Sequence, residues 1–361
     1  MKKSKVFPKV LFAIVLFVSL GAAFGLTKPI ERKLNKMQFK SELLKAEEKN
    51  LQIQKLNDNF TEQKSVKFAR DGIDNIAYVT MVKDEDDIIY ENLVWHFCIG
   101  FRKFVIVDNN STDGTRVLIE KFKKQVENKA IVVIVDDPIV EYIQSKIMTG
   151  AMRFAHSVWP DLDWVFPVDA DEFWYPNVRL QDILSKIPDS QEVILTLQHN
   201  HVPVEEFQDN KKHGVFYKNL NFRLKDLSGG FGKIAVRPGV DVIISQGNHS
   251  ARTIMHNRGL KYVAGNEIGL DMRHFQMRSV FQVEKKYWNG AKANIRAQKL
   301  GLINKNSGVH WTAFKKEVDK KGLRQSAIDR FNSYTKSKKI CVDDPLPMEQ
   351  AFELFNELIA Q

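Results

Sequence analysis

Three carboxylates fall within four residues, Asp169-Ala170-Asp171-Glu172, directly after an apolar stretch. Their mutual repulsion is unfavourable unless a cation or hydrogen bonds offset it. Carboxylate oxygens suit Mg²⁺ or Mn²⁺, and such an ion would neutralise a diphosphate and stabilise it as a leaving group. In an extended segment Asp169 and Asp171 point to the same side, so they could share one ion. The alternative is a solvated acidic turn, which the preceding apolar stretch disfavours.

Two other polar segments follow apolar stretches. The loop from Asp108 to Thr115 (DNNSTDGT) begins with a carboxylate that we expect to face a ligand crevice and to accept hydrogen bonds from a base or ribose. Asp113 or Thr112 could instead cap the next helix. The turn Lys83-Asp84-Glu85 is a weaker signal, because charged residues commonly begin helices.

Alternating apolar segments predict the elements that position these residues. Strands are predicted at 77–82, 103–107, 130–135 and 163–168, with helices at 88–100, 115–125 and 141–159 between them. This alternation predicts a parallel sheet covered on both faces, with ligands at the carboxyl ends of the strands. The second half predicts strands at 193–197, 234–236 and 240–245 and a helix at 279–300.

The formal net charge of +10 does not indicate a nucleic-acid partner. Residues 1–70 hold 15 Lys and Arg against 6 Asp and Glu, which leaves only +1 for residues 71–361. A basic segment beside an apolar one favours a membrane-proximal role. The two cysteines, Cys98 and Cys341, are too far apart in the sequence to form a CxxC metal-binding motif. Cys98 is expected to be a buried apolar residue. A disulfide bond between the two cysteines stays open.

The N-terminal region predicts a membrane attachment. After a short basic N-terminus at 1–9, residues 10–26 form an uncharged apolar run of 17 residues. We favour a transmembrane signal anchor over a cleaved signal peptide, because the run is longer than a usual signal core. Residues 27–74 are rich in helix formers and predict a helical stem, which allows a dimer; a solvated linker is the alternative. Flanking charges leave the orientation open.

The motifs together resemble the GT-A glycosyltransferases, in particular family 2 and its relatives with a DADEF motif. The segments that carry the resemblance are Lys83-Asp84-Glu85, Ile99-Gly100-Phe101, Asp108 to Thr115 and Asp163 to Phe173. Two later elements are similar more loosely, namely Gly247-Asn248-His249 and His274-Phe275 followed by Arg278-Ser279. The resemblance implies a Rossmann-like α/β fold whose mostly parallel sheet has helices on both faces. The expected domain spans 75–335, and a C-terminal helical tail spans 336–361.

The resemblance also implies roles for individual residues. Asp169, Asp171 and His274 would hold Mn²⁺ or Mg²⁺. Nucleotide-sugar binding falls to Lys83, Glu85, Asp108, Asn110, Asp113, Asp169 and Arg278, and His249 and Lys285 are candidates for an acceptor or phosphate site. Glu172 and Asp171 are the candidate catalytic carboxylates, with Asp209 and Glu267 as weaker candidate bases. A histidine in such a chain is otherwise more often a packed structural residue.

The expected activity is therefore metal-dependent, inverting transfer of a sugar from a UDP- or GDP-linked donor to the hydroxyl of a glycan or glycoconjugate. A nucleotidyltransferase is disfavoured, because the first turn is acidic rather than rich in Gly and Lys or Arg. A membrane-tethered glycan-binding protein without catalysis is disfavoured by the intact acidic run. The expected location is a membrane, as a Golgi type II protein in a eukaryote or at the inner membrane of a bacterium.

Overall fold

The computed structural model describes residues 65–361 apart from 142, 208–214, 226–231, 255–258, 304–307 and 337–338. The strands are β1 (Ile76–Val82), β2 (Lys103–Asp108), β3 (Ile131–Asp136), β4 (Trp164–Pro167), β5 (Glu172–Pro176), β6 (Val193–Val202), β7 (Phe222–Leu224), β8 (Gly232–Val236), β9 (Val242–Ile244), β10 (Ala251–Thr253), β11 (Tyr262–Ala264), β12 (Leu270–His274) and β13 (Cys341–Asp343). The helices are α1 (Ile89–Cys98), α2 (Thr115–Gln125), α3 (Gln144–Val158), α4 (Leu180–Leu184), α5 (Phe216–Asn219), α6 (Val280–Lys299), α7 (Val309–Lys321), α8 (Leu323–Asn332) and α9 (Met348–Ala360).

The fold is mixed α/β, as predicted. In the described part of the chain, eleven strands hydrogen-bond into one sheet whose main path runs β13-β7-β6-β8-β4-β1-β2-β3. Strands β1 to β4 pair in parallel, which confirms the expectation for the first half. The second half adds antiparallel pairs, of β8 with β4 and β6 and of β12 with β5. The sheet is therefore more mixed than the sequence pattern indicated.

Alternation along the central strands explains how helices cover both faces. Tyr78 and Phe104 point into a core that includes α1 and α2, whereas Ala77 and Val105 point into a second core that includes α3. Successive strand residues face opposite sides, so a strand buried on both faces reads as an apolar run. Helix α1 ends before Gly100, whose φ of +116° is a conformation that favours glycine.

One predicted strand is less buried than expected. The run AIVVIV was predicted as a fully buried strand, but β3 has Ile131 and Val135 exposed to 52% and 37%. Strand β3 lies at the end of the strand order, beyond β2. An edge strand lacks a neighbour on one side, so part of its surface stays accessible.

Both ends of the described chain pack into the same core. Residues 65–74, predicted as part of the stem, contain no helix; Val66 is buried and the amide of Lys67 donates to the carbonyl of Pro176 (2.8 Å). The segment predicted as a C-terminal tail contributes β13 and α9, and Phe355 of α9 packs on Phe97 with ring centroids 5.5 Å apart. The C-terminal segment is thus built into the core.

Three sequence expectations about the termini and the cysteines have different outcomes. The predicted membrane span at 10–26 and most of the predicted stem lie outside the described residues. Within residues 65–361, the gaps set aside, no helix is both long and apolar enough to cross a bilayer. Cys98 is buried as predicted, and both cysteines are free, so the bridge left open by the sequence is absent.

Burial of His96 leads to a testable pH dependence. The ring is fully buried among Tyr78, Phe101 and Phe173, and burial lowers the pKa of His96 to about 3. Below pH 6.5 the unfolded chain binds a proton that the folded protein excludes, so stability is complete above pH 6.5 and is lost as the pH falls toward 3. We expect the free energy of unfolding to fall by up to about 1.4 kcal/mol per pH unit from this group.

Urea unfolding at pH 7 and at pH 5 measures this loss. His96→Gln should lose less stability than the wild type between the two pH values, because glutamine does not titrate. Equal losses in the two proteins would contradict the assignment to His96.

Candidate functional site

A cavity of about 780 Å³ lies at the carboxyl ends of β1 and β4. These two strands are parallel neighbours, with Val79 opposite Pro167, so the segments that follow them meet at one edge of the sheet. Residues of β6, β8, β12, α6 and α7 also line the cavity. The lining includes these predicted site residues: Lys83, Glu85, Asp169, Asp171, Glu172, His249, His274 and Lys285.

Three side chains in this cavity could hold a metal ion. Ligand atoms of Asp171, Glu172 and His274 all lie within 4.8 Å of one another. Sheet register brings them together, because β12 places His274 opposite Glu172 on β5 and opposite Asn200 on β6. His274 Nδ1 lies 2.7 Å from Asn200 Oδ1, and Nε2 lies 3.5 Å from Asp171 Oδ2. With Nδ1–H donating to Asn200, the free Nε2 is oriented as a ligand.

Asp169, the other predicted metal ligand, lies outside this group. Its Oδ2 accepts from Lys233 Nζ (2.6 Å), and its Oδ1 accepts from the amides of Gln144 (2.7 Å) and Asn248 (3.0 Å). Asp169 and Asp171 are therefore engaged by different partners in this structure. The bridging of one ion by both aspartates stays a prediction.

Glu172 and Lys233 form a buried ion pair at the cavity floor. Lys233 Nζ lies 2.7 Å from Glu172 Oε1, and the two side chains are 4% and 0% exposed. Gln198 also donates to Oε1 (2.9 Å). Burial raises the pKa of Glu172 to about 8, even though Lys233 lowers it. A carboxyl group with this pKa can exist in either protonation state near neutral pH, as a general base or acid requires.

Basic side chains neutralise Asp171 and Glu85. Lys286 is ion-paired with Asp171, and Arg278 is ion-paired with Glu85 and, through two hydrogen bonds of 2.8 Å, with Asp87. Burial acts to raise the pKa of Asp171, but Lys286, His274 and Arg278 outweigh it and hold that pKa well below its usual range. Asp171 is therefore a carboxylate at neutral pH. Arg278 is not among the described cavity-lining residues, and only 1% of its side chain is exposed.

The loop after β2 is held by its own contacts. Asp108, which the sequence placed facing the crevice, accepts a hydrogen bond from the amide of Ser111 (3.0 Å) and lies 3.6 Å from Arg116. Lys83 Nζ donates to the carbonyls of Asn109 (2.8 Å) and Asn110 (2.9 Å), which fixes this loop against the first turn. Four predicted site residues are not among the described residues that line the cavity, namely Asp108, Asn110, Asp113 and Arg278.

Three residues next to the site adopt left-handed backbone conformations, with φ of 55° at Asp84, 54° at Asn110 and 56° at Asn248. Asp and Asn tolerate this region better than other residues with a side chain. Asp84 Oδ1 accepts from the amide of Thr112 (2.7 Å), and its Oδ2 accepts from Asn289 (3.0 Å). The first turn, the second loop and α6 are thereby tied together.

His249 and Lys285, the candidates for an acceptor or phosphate site, stand on separate parts of the cavity wall. His249 Nδ1 lies 2.9 Å from the carbonyl of Gly232, so β8 holds the ring. Lys285 is ion-paired with Asp113 and lies 3.5 Å from Asp86. Burial acts to raise the pKa of Asp113, but the bond from Lys285 outweighs it and lowers that pKa to about 2.

One side of the cavity is aromatic rather than charged. Its lining there comprises Tyr287, Gly290, Ala293, Gly308, His310, Trp311 and Tyr334. Rings of Tyr287 and Trp311 have centroids 5.0 Å apart, and His310 lies 4.4 Å from Trp311. A Cβ on Gly290 would come within 2.8 Å of the Trp311 ring, so this helical glycine lets the ring lie against α6. Aromatic faces of this kind can stack on the C–H face of a sugar ring.

Sequence reasoning missed Lys233, Lys286 and Gln144. Lys233 had a signal, since a lone lysine within the apolar strand GKIAV is costly to bury without an acidic partner. Lys286 adjoins Lys285 in α6 and is distinguished only by the direction in which it points. Gln144 carried no signal, because a glutamine at the start of a helix is common.

The sequence of the chain matches a known protein family. Residues 100–247 match the family described as glycosyl transferase family 2. No curated protein matches the chain. The match includes the Asp108 loop, the acidic run and Lys233, and it ends before His249, His274 and Arg278.

Solved structures show weak likenesses. TarS 1-349 of S. aureus in complex with UDP is 14% identical; the alignment covers 73% of this chain and 90% of that chain, with a TM-score of 0.31. The mannosyltransferase PcManGT from Pyrobaculum calidifontis in complex with GDP-Man and Mn²⁺ is 12% identical, with 87% and 88% covered and a TM-score of 0.36. Residues 100–247 are a family 2 glycosyltransferase region by their sequence match. This match confirms the family resemblance and the enzyme class that the motifs predicted.

Proposed function

We propose that this glycosyltransferase moves a sugar from a nucleotide-sugar to an acceptor hydroxyl, in a metal-dependent and inverting reaction. The observation that carries the proposal is the convergence of Asp171, Glu172 and His274 in a cavity that lysines also line. Inversion follows from the family 2 resemblance, which implies a single displacement.

The residues present fit a divalent cation. Two carboxylates provide hard oxygen ligands and an imidazole provides one nitrogen ligand, a set that suits Mn²⁺. Mg²⁺ is usually held by one or two carboxylates and several waters, so it would use fewer of these side chains. When bound, the cation would neutralise the diphosphate of the donor as it leaves. Asp171 would hold the cation, and His274 would be kept in the ligating orientation by Asn200.

Charge in the cavity supports a UDP- or GDP-linked donor. Lys83, Lys285 and Lys286 line it together with Glu85, so cationic groups for phosphates lie beside a carboxylate that could meet a nucleoside. Glu85 and Arg278 pair with each other, and through this pair Arg278 would position the donor site rather than contact the donor.

Among the predicted bases, Glu172 is the one that the cavity supports. Glu267 is exposed on a short 3₁₀ helix (Gly265–Ile268) and is absent from the described cavity lining; Asp209 lies outside the described residues. As the base, Glu172 would take the proton from the acceptor hydroxyl, and Asp171 and His274 would then hold the cation.

The direct experiment is a donor screen with the full chain. UDP- and GDP-sugars are incubated with candidate glycan acceptors in Mn²⁺, Mg²⁺ or EDTA, and the released nucleoside diphosphate is measured. We expect turnover with one nucleotide class, its loss in EDTA and its return with Mn²⁺. Release of a sugar 1-phosphate, from cleavage between the two phosphates of the donor, would indicate a nucleotidyltransferase, and glycan binding without turnover would indicate a non-catalytic protein.

The aromatic side of the cavity supports a glycan or glycoconjugate acceptor. Tyr334→Leu is expected to raise the KM for the acceptor about three- to tenfold, because a stacked ring contributes about 0.5–1.5 kcal/mol. The donor KM should change less than twofold. Trp288→Leu is the matched control, because Trp288 also lies on this part of the fold but is not among the described lining residues. An unchanged acceptor KM in Tyr334→Leu would contradict this placement.

We further propose that residues 10–26 anchor the chain in a membrane, in the Golgi as a type II protein or in a bacterial inner membrane, with residues 27–74 as a stem that could dimerise. The support is the uncharged apolar run between basic segments. Retention of the full chain in the membrane pellet after an alkaline wash, with release when 1–26 are deleted, is the expected result.

A further inference from the structure

Lys286 lies between two carboxylates of the proposed catalytic site. Its Nζ is ion-paired with Asp171 Oδ2 and lies 3.6 Å from Glu85 Oε1. Asp171 Oδ2 is also the atom that His274 Nε2 approaches, at 3.5 Å. The ammonium group therefore already serves as the counterion of a carboxylate in the candidate ligand group.

An ammonium group and a divalent cation cannot share this position at low cost. Two cations on one carboxylate oxygen repel each other, and the repulsion is stronger in a buried site than in bulk water. A cation bound by Asp171, Glu172 and His274 would therefore require Lys286 to move away.

Lys286 is better able to move than the other cations at the cavity floor. The side chains of Lys233 and Arg278 are 4% and 1% exposed, whereas that of Lys286 is 28% exposed. Lys233 also donates to the carbonyl of Gly247 (2.6 Å), and Arg278 donates to the carbonyl of Phe275 (3.0 Å). Backbone contacts of this kind hold a side chain in place, while the flexible stem of Lys286 lies on the cavity wall.

We propose that Lys286 is a donor-binding residue that exchanges partners, neutralising Asp171 before the cation binds and turning to the diphosphate when cation and donor bind together. This inference rests on the proposed function. The exchange makes cation and donor bind cooperatively, because the cation alone displaces Lys286 without offering it a new anion. The diphosphate supplies that anion, and each ligand then strengthens the other by the same factor.

The test compares Lys286→Met with Lys285→Met in the full chain. Mn²⁺ alone is titrated by electron paramagnetic resonance, and UDP and GDP are titrated by calorimetry at saturating Mn²⁺. For Lys286→Met we expect Mn²⁺ alone to bind about fivefold or more tightly and the nucleotide to bind about tenfold more weakly. Lys285 contacts Asp113 and Asp86 rather than Asp171, so Lys285→Met should leave the affinity for Mn²⁺ alone within twofold.

In Lys286→Met the affinity for Mn²⁺ alone should rise while the affinity for the nucleotide falls. Loss of a purely structural residue would instead weaken the binding of both ligands. Lys286→Arg keeps the charge and should restore both affinities toward wild type. Unchanged or weaker binding of Mn²⁺ alone by Lys286→Met, in a protein whose wild type binds nucleotide and turns over, would overturn the exchange and leave the proposed function standing. Absence of any Mn²⁺ and nucleotide binding in the wild type would overturn both.

Discussion

Asp171→Asn is expected to lower kcat/KM for sugar transfer about a thousandfold or more, which corresponds to roughly 4 kcal/mol of lost transition-state stabilisation. The substitution keeps the size of the side chain but removes the charge of the ligand group formed with Glu172 and His274. Binding of Mn²⁺ should be lost together with turnover. Steady-state kinetics with the donor identified by the screen, combined with Mn²⁺ titration, measure both quantities.

The matched control is Asp189→Asn, because Asp189 is an exposed surface carboxylate away from the described cavity lining. It should retain full turnover. Asp169→Asn is the informative comparison, since Asp169 is held by Lys233, Gln144 and Asn248 and lies outside the ligand group. We expect it to retain more Mn²⁺ binding than Asp171→Asn. Turnover by Asp171→Asn within twofold of wild type would rule out the metal role.

Lys233→Met is expected to destabilise the fold by about 3–5 kcal/mol, because it leaves the buried Glu172 and the partly exposed Asp169 without their cation. Lys233 lowers the pKa of Glu172 against the effect of burial, so without Lys233 this carboxyl group must stay charged without a partner or bind a proton, and either outcome costs stability. Thermal and urea unfolding at pH 7 provide the measurement.

The double variant Lys233→Met/Glu172→Gln tests the cause. It replaces the buried carboxyl group that the single substitution leaves without its cation by a neutral amide, so it should be more stable than Lys233→Met alone. Interacting groups of this kind show non-additive changes in the free energy of unfolding. Lys186→Met, at an exposed lysine, should change that free energy by less than about 0.5 kcal/mol. If the double variant lost as much stability as the sum of the losses in Lys233→Met and Glu172→Gln, the interaction between these two residues would be contradicted.

Much of the first half of the fold could be predicted from local pattern. Periodicity predicts β1, β2 and β4 and the helices between them. A strand that is buried on both faces needs apolar side chains on both faces, so it appears in the sequence as a continuous apolar run. The carboxylates at the strand ends followed from the same pattern, since parallel strands place their carboxyl ends at one edge. The exposure of β3 did not, because edge position depends on which strands pair.

The composition of the ligand group was decided by tertiary structure. His274 reaches Asp171 because β12 inserts between β5 and β6. These pairings place His274 opposite Glu172 and Asn200, which lie 102 and 74 residues earlier in the chain, and no local signal predicts them. Tertiary structure also decides that Asp169 pairs with Lys233 and Asp171 pairs with Lys286. Lysines on a strand and a helix can reach many partners, and only the packed chain selects one.

By itself, then, the sequence determined that an acidic run follows a buried parallel strand, in a segment that resembles the family 2 glycosyltransferases. The tertiary structure decided which carboxylate meets the histidine, which cation each carboxylate holds, and that an aromatic wall from α6, α7 and the turn after α8 closes one side of the cavity. The physical reason is that strand identity depends on nearest-neighbour apolar spacing, whereas ion pairing depends on distances that only the folded chain sets.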